Sequence, residues 1–181
     1  MINHRGTQTI HSQRMTLRKI TQEDMQTIYE FMRHAEVTQY EDWIMHESVA
    51  YTRGFMSWLT NDYKSDQNYC WGMQLGTVII GFILMANVNE HSGSIAYYVD
   101  KNYWSKGYAT EAVVAVMHYM FSQVNIGRIE AKHSIKNPAS GKVLKKAGMR
   151  YRGHVKEFEF YTSKLQWHDC DFYAITKEQF F

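Results

Sequence analysis

The sequence predicts an α/β fold of the α+β kind, a mixed but mostly antiparallel sheet flanked by helices, and three features predict it. Three apolar-rich segments between Asn68 and Val99 are separated only by short breaks, the pattern of an antiparallel meander. A stretch with apolar residues at helical spacing follows, over residues 110–123. Beyond it, strand-like and helix-like segments alternate, and the chain closes on two alternating segments that read as strands.

In chain order, residues 14–18 alternate polar and apolar side chains and form a first strand. Thr21, with Asp24 three positions on, marks a capped helix start whose one face carries Met25, Ile28, Tyr29 and Met32. A second helix begins near Ser48 and is expected to bury Val49, Phe55, Trp58 and Leu59. The intervening residues 38–47, with Glu41, Asp42, Trp43 and His46, show no clear period and read as a loop that could shape a substrate cleft. The meander strands are 69–75, 77–88 and 94–99, broken at Gly76 and at Glu90-His91-Ser92-Gly93. The helix at 110–123 sets Val113, Val116, Met117, Met120 and Phe121 on one face, with Glu111 in the first turn, where the helix dipole favours an acid. Residues 128–133 form a strand, 138–147 a short helix closed by Gly148, and 149–160 and 167–176 two last strands.

The composition bounds the function. With 181 residues, 45% hydrophobic and 21% charged, and no Pro/Gly/Ser-rich linker, the chain is expected to form one domain over residues 1–181. Twenty Lys and Arg against 18 Asp and Glu leave no basic excess that would track a nucleic-acid backbone. Cys70 and Cys170 are the only cysteines, too far apart for a disulfide framework or metal-ligand spacing, which points to a reducing compartment. The first residues lack the apolar core of a signal peptide, and the apolar run at 77–88 is interrupted by Gly81 and too short to span a bilayer. The expectation is a soluble, cytoplasmic protein with neither nucleic acid nor membrane as partner.

Two stretches carry chemistry. Trp104, Ser105, Lys106, Gly107, Tyr108, Ala109 and Thr110 join a strand to the strongest helix through small residues and a glycine, and a helix start with free N–H groups suits a phosphate or pyrophosphate. The second stretch is Asn137-Pro138-Ala139-Ser140, in which Asn137 suits the N-cap, Pro138 the first helical position and Gly148 the left-handed residue after the helix. Ser140 shares a helical face with Leu144 and Ala147, so it points into the protein or a cleft, although a buried serine bonded to a backbone carbonyl is the commoner case.

Together these stretches, with Arg128-Ile129-Glu130-Ala131 between them, resemble the GNAT superfamily of N-acetyltransferases, in particular its ribosomal-protein N-terminal acetyltransferase (RimJ/RimL-like) branch. The resemblance implies acetyl-CoA as cosubstrate and a primary amine as acceptor, and it leaves a homodimer open. It also implies a sheet splayed between the fourth and fifth predicted strands, with the pantetheine arm entering the gap beside Tyr98 and Val99, the pyrophosphate on the loop from Trp104 to Thr110, and Asn137 and Ser140 at the cofactor. Two departures stand out. Ser94 occupies a strand position where related sequences often carry a glutamate base, and Lys145 falls where many carry a tyrosine acid.

Acetyl transfer to an amine still needs a neutral amine, a donor for the oxyanion and a proton for the leaving thiolate. A backbone N–H near Tyr98 or Val99 is the expected oxyanion donor, and Ser140 the expected proton donor or relay. Glu159 matches a glutamate proposed as base in that branch, with Glu157 its neighbour by register; both also fit solvated strand charges. His133 reads as a structural histidine, and His168-Asp169 as residues orienting the cleft wall. The acceptor is either a protein N-terminal amine or a small molecule such as an aminoglycoside or polyamine. The missing residues at Ser94 and Lys145 motivate a third reading, a non-catalytic acyl-CoA-binding module.

Overall fold

The computed structural model describes residues 2–181, and among them eight strands make one sheet. They are β1 (Ile10–His11), β2 (Thr16–Arg18), β3 (Tyr69–Leu75), β4 (Val78–Ala86), β5 (Ser92–Val99), β6 (Arg128–Ser134), β7 (Arg150–Tyr161) and β8 (Gln166–Thr176), in the order β1-β2-β3-β4-β5-β6-β8-β7. Every neighbouring pair is antiparallel except β5 and β6, whose parallel pairing requires a crossover, supplied by a helix. That pairing joins Ser92 to Arg128, Gly93 to Ile129 and Ser94 to Glu130 and then ends. β5 and β6 are the fourth and fifth strands of the sequence reading, so the splay lies where the resemblance implies it.

The helices are α1 (Met25–Met32), α2 (Ala35–Thr38), α3 (Val49–Asn61), α4 (Tyr108–Tyr119), α5 (Pro138–Lys146) and α6 (Lys177–Phe180). Thr21 and Asp24 form the expected capping box, and the Asp24 carboxylate also accepts two 2.8 Å hydrogen bonds from the Arg18 guanidinium, tying α1 to β2. One face of the sheet is covered by α1 and α3, through Ile28, Phe31, Met32, Met56 and Leu59 against Phe82 and Tyr98. The other is covered by α4 and α5, through Val113, Val116, Met117 and Leu144 against Trp71, Ile83 and Ile129. Each such buried side chain contributes about 1.5–3 kcal/mol of transfer free energy, which fixes both helical layers on the sheet. No helix of the described residues is long and apolar enough to cross a membrane.

Several expectations need correction. The buried face of α3 is Thr52, Met56 and Leu59; Trp58 is 52% exposed, while Val49 and Phe55 are only half-buried. The 3.6-residue period admits one stripe, and Phe55 and Trp58 instead pack edge-on against Trp43 of the loop that precedes α3, 5.0 and 5.9 Å between ring centroids. β1 and α6 are too short to show a period and were not expected. α4 begins at Tyr108, earlier than expected, and is continued by a π-helical turn over Met120–Val124. Ser92 and Gly93 belong to β5 rather than to the break before it. Gly81, which interrupts the apolar run, sits opposite Val99 at the mouth of the splay, where a Cβ would lie 2.2 Å from the Tyr98 carbonyl oxygen.

Candidate active site

Where β5 and β6 part, a cleft of about 440 Å³ opens, walled by the two strands, by Ser140 and Leu144 of α5, by Glu41, and by Phe158, Glu159 and Tyr161 of β7. The Asp100 N–H bonds back to the Ile80 carbonyl of β4 at 2.8 Å. Because peptide groups alternate along a strand, those of Val99 and Tyr97 turn toward β6 and the opening, and that of Tyr98 turns toward β4. Of the two expected oxyanion donors, Val99 therefore has the fitting orientation and Tyr98 does not. The Val99 carbonyl accepts a 2.7 Å hydrogen bond from the Trp104 indole, which ties the end of β5 to the loop before α4 and gives Trp104 a side-chain role beside any backbone one.

At the same end, the chain turns through Ser105 (φ +61°) and Gly107 (φ +84°) into α4. The turn is held from a distance by the segment between β1 and β2. Arg14 donates through Nη1 to the Lys106 carbonyl (3.0 Å) and through Nε to Glu111 (2.7 Å), while Ser12 Oγ donates to the other Glu111 oxygen (2.7 Å). Burial works against the Glu111 charge, but these bonds and the Arg14 backbone N–H outweigh it and hold the carboxyl below its usual range. The Arg14 guanidinium also lies 4.4 Å from the Tyr108 ring centroid. Left-handed backbone at Gly107 and the open first turn of α4 suit a diphosphate, and a Cβ at Gly107 would fall 3.3 Å from Arg14 Nη2.

On the α5 side, the Asn137 amide oxygen accepts from the Ser140 N–H at 3.2 Å, so this side chain is committed to the cap. Ser140 Oγ lies 2.8 Å from the Tyr97 hydroxyl, which is also 3.0 Å from the Ser140 carbonyl. Burial pushes the Tyr97 phenol well up, so it stays protonated near neutrality. His133 Nδ1 sits 2.7 Å from the Ser134 carbonyl and the ring stacks on Tyr173, as a structural histidine would.

The opposite end of the cleft is acidic. Tyr98 donates to Glu41 Oε2 at 3.2 Å and stacks on Trp43 with centroids 4.5 Å apart. The loop bearing Glu41 is tied to the β7–β8 turn by Tyr161 to the Tyr40 carbonyl (2.7 Å), Thr162 to Asp42 (2.9 Å) and Lys164 to the Thr38 carbonyl (2.9 Å). Burial, opposed by the Tyr98 hydrogen bond, raises the Glu41 carboxyl to about 7. Glu159 also lines the cleft, with its carboxylate bound by the Lys132 ammonium, and Glu130 is bound by Arg128 at 2.7 Å. A bulge in β7 separates Glu159 from Glu157. Pairing passes from Val155 with Cys170 to Glu159 with His168, and Glu157 turns away with φ +46° and its N–H on Asp169. His168 is not in the cleft wall itself; it stacks behind Tyr161 at 3.9 Å.

Residues 14–150 match the family model described as an acetyltransferase (GNAT) domain. The chain belongs to this family. It is 31% identical to the uncharacterized N-acetyltransferase YnaD of Bacillus subtilis over 94% of this chain and 98% of that protein. A shorter match, 30% identical over 54% of this chain and 51% of the relative, is to the Escherichia coli [ribosomal protein uS5]-alanine N-acetyltransferase. Among solved structures, Mycobacterium smegmatis RimJ in complex with CoA-disulfide superposes with a TM-score of 0.85 at 22% identity, over 95% of this chain and 88% of that one, a likeness of fold. This GNAT chain is thus an N-acetyltransferase, and acetyl-CoA is its cosubstrate.

Sequence reasoning singled out the loop from Trp104 to Thr110, Ser140 and Glu159, of which Ser140 and Glu159 line the cleft; it did not single out Tyr97, the partner of Ser140, or Lys132, the partner of Glu159, and it gave Glu41 only slight weight, as acidic support for a small-molecule acceptor. The signal for Tyr97 was present: in Tyr97-Tyr98, strand alternation sends adjacent hydroxyls to opposite faces.

Proposed function

We propose that residues 1–181 act as one cytoplasmic acetyltransferase domain that transfers acetyl from acetyl-CoA to a single primary amine of low pKa, a protein N-terminal amine being the preferred acceptor. The observation that carries the reading is the cleft between β5 and β6, which has a proton-donating pair at one wall and carboxylates at the other. The loop from Trp104 to Thr110 holds the diphosphate, the Val99 N–H meets the charge that builds on the carbonyl oxygen, and Ser140, backed by Tyr97, supplies the proton to sulfur. Glu159 and Lys132 neutralise each other and form a wall of the acceptor end. Since Arg128 likewise offsets Glu130, the cleft suits one ammonium better than a polycation. An N-terminal amine with a pKa near about 8 is already partly neutral at pH 7, so a modest base suffices. The relative named [ribosomal protein uS5]-alanine N-acetyltransferase, whose name gives an alanine of a protein as the acceptor, supports a protein amine over a small molecule.

A thiol-release screen over N-terminal peptides, aminoglycosides and polyamines tests it. N-terminal peptides are expected to give the highest kcat/KM at neutral pH. Polyamines outcompeting them would overturn the acceptor class, and binding of acetyl-CoA without transfer to any amine would return the chain to a non-catalytic acyl-CoA-binding role.

A further inference from the structure

The GNAT reaction needs a group to take a proton from the incoming amine, and Ser94 leaves the usual strand position without one. The cleft wall holds several titratable side chains, and their partners sort them. Glu130 is spent on Arg128 (2.7 Å) and Glu159 on Lys132. His133 holds its Nδ1 against the Ser134 carbonyl at 2.7 Å, which fixes the proton there. Its bare Nε2 is buried against α5, only 2.5 Å from where a Cβ on Gly141 would stand, so no amine fits between them. The Cys170 thiol is pushed up to about 11 by burial and stays neutral.

Glu41 differs from all of these. Its Oε2 accepts one hydrogen bond, from the neutral phenol of Tyr98, and its Oε1 takes none from the described residues while the side chain lines the cleft. The Lys164 ammonium, the nearest cation on the turn, bonds the Glu41 main-chain carbonyl instead of the carboxylate. The loop is pinned to the β7–β8 turn, so the carboxylate is placed by tertiary contacts rather than waving in solvent. Tyr97 and Tyr98 then give the site two sides: one strand directs a hydroxyl to the proton donor Ser140 on the α5 face and the next hydroxyl to Glu41 on the α1–α3 face.

We propose that Glu41 is the catalytic base of this enzyme, taking the proton of the acceptor ammonium on Oε1, with Tyr98 as its positioning residue; the proposal rests on amine acetylation in the β5–β6 cleft. The ammonium gives one proton to the Glu41 carboxylate, and the freed lone pair forms the C–N bond to the acetyl carbonyl carbon. As the C–S bond breaks, the thiolate takes a proton through Ser140. The nitrogen loses its second proton to water, and Glu41 returns its own to solvent, so each turnover releases one net proton. Around Glu41 stand Tyr98 of β5, Lys132 of β6, Tyr161 and Glu159 of β7, Lys164 of the turn and Asp42 beside it. Burial and Glu159 raise its carboxyl, Tyr98, Lys132 and Lys164 lower it, and the balance near about 7 is close to the working pH of a general base.

The test is the pH dependence of kcat/KM for wild type, Glu41→Gln and Tyr98→Phe, on two acceptor peptides whose amine pKa values differ. Glu41→Gln is expected to lose about 10²- to 10⁴-fold in kcat/KM with acetyl-CoA affinity by calorimetry unchanged. The wild type is expected to show an acid limb common to both acceptors, and Tyr98→Phe to move that limb to higher pH, because the lost hydrogen bond favoured the ionised carboxylate. Activity of Glu41→Gln within about threefold of wild type, or an acid limb that follows only the amine pKa, overturns the assignment. Should Glu41→Gln not fold, the Tyr98→Phe profile decides, and an unmoved limb overturns it. A wild type that acetylates no amine refutes the function instead, a result distinct from all of these.

Discussion

The Tyr97 hydroxyl lies 2.8 Å from Ser140 Oγ and joins β5 to the first turn of α5 across the cleft. A protonated phenol thus stands behind Ser140, and in the proposed mechanism it refills the proton that Ser140 gives to sulfur, in place of the helix tyrosine whose position is occupied by Lys145. Ser140→Ala is expected to lower kcat by about ten- to a thousandfold with little change in acetyl-CoA affinity, and Tyr97→Phe to give a smaller loss of the same kind. Turnover at the wild-type rate in Ser140→Ala would assign the pair to structure alone.

The proposed diphosphate cradle has its own test. Gly107→Glu places a side chain at φ +84°, a charge of the wrong sign at the helix start, and bulk toward Arg14. Acetyl-CoA binding measured by calorimetry is expected to vanish while cooperative unfolding persists. Unchanged affinity would show that the diphosphate sits elsewhere.

Gly81 keeps β4 close to β5 where the splay begins. Gly81→Ala would set a methyl group 2.2 Å from the Tyr98 carbonyl oxygen, a backbone atom that cannot step aside without moving the strand. Overpacking of this kind costs about 1–3 kcal/mol, so a matching fall in the denaturant midpoint is expected, accompanied by weaker catalysis because Tyr97 and Tyr98 ride on the displaced strand. A midpoint equal to that of the wild type would show that the strands part freely.

Glu41 also leaves a mark on stability. Its folded pKa, about 7, lies above the ordinary value of 4.5, so the folded state binds the proton more tightly than the unfolded chain. That contribution is full below the ordinary value and is lost as pH rises through about 7. Glu41→Gln removes it, and the Tm of the variant relative to wild type is expected to climb between pH 5 and pH 8. A difference in Tm that is flat over this range would mean that Glu41 does not titrate there.

What the sequence determined by itself is what local bonding decides. The Thr21–Asp24 box, the Asn137-Pro138 start of α5, the left-handed Gly107 and Gly148, and the apolar stripe of α4 each follow from hydrogen bonds or backbone angles closed within a few residues. The splay was legible through the resemblance carried by these same motifs. Tertiary structure alone decided which side chains meet in the cleft, because their partners are distant in the chain: 43 residues separate Tyr97 from Ser140, 57 separate Glu41 from Tyr98, and 27 separate Lys132 from Glu159. It also decided between Glu157 and Glu159. Strict alternation puts both on one face of β7, and only the bulge held by Asp169 of β8 turns one outward and leaves the other in the site.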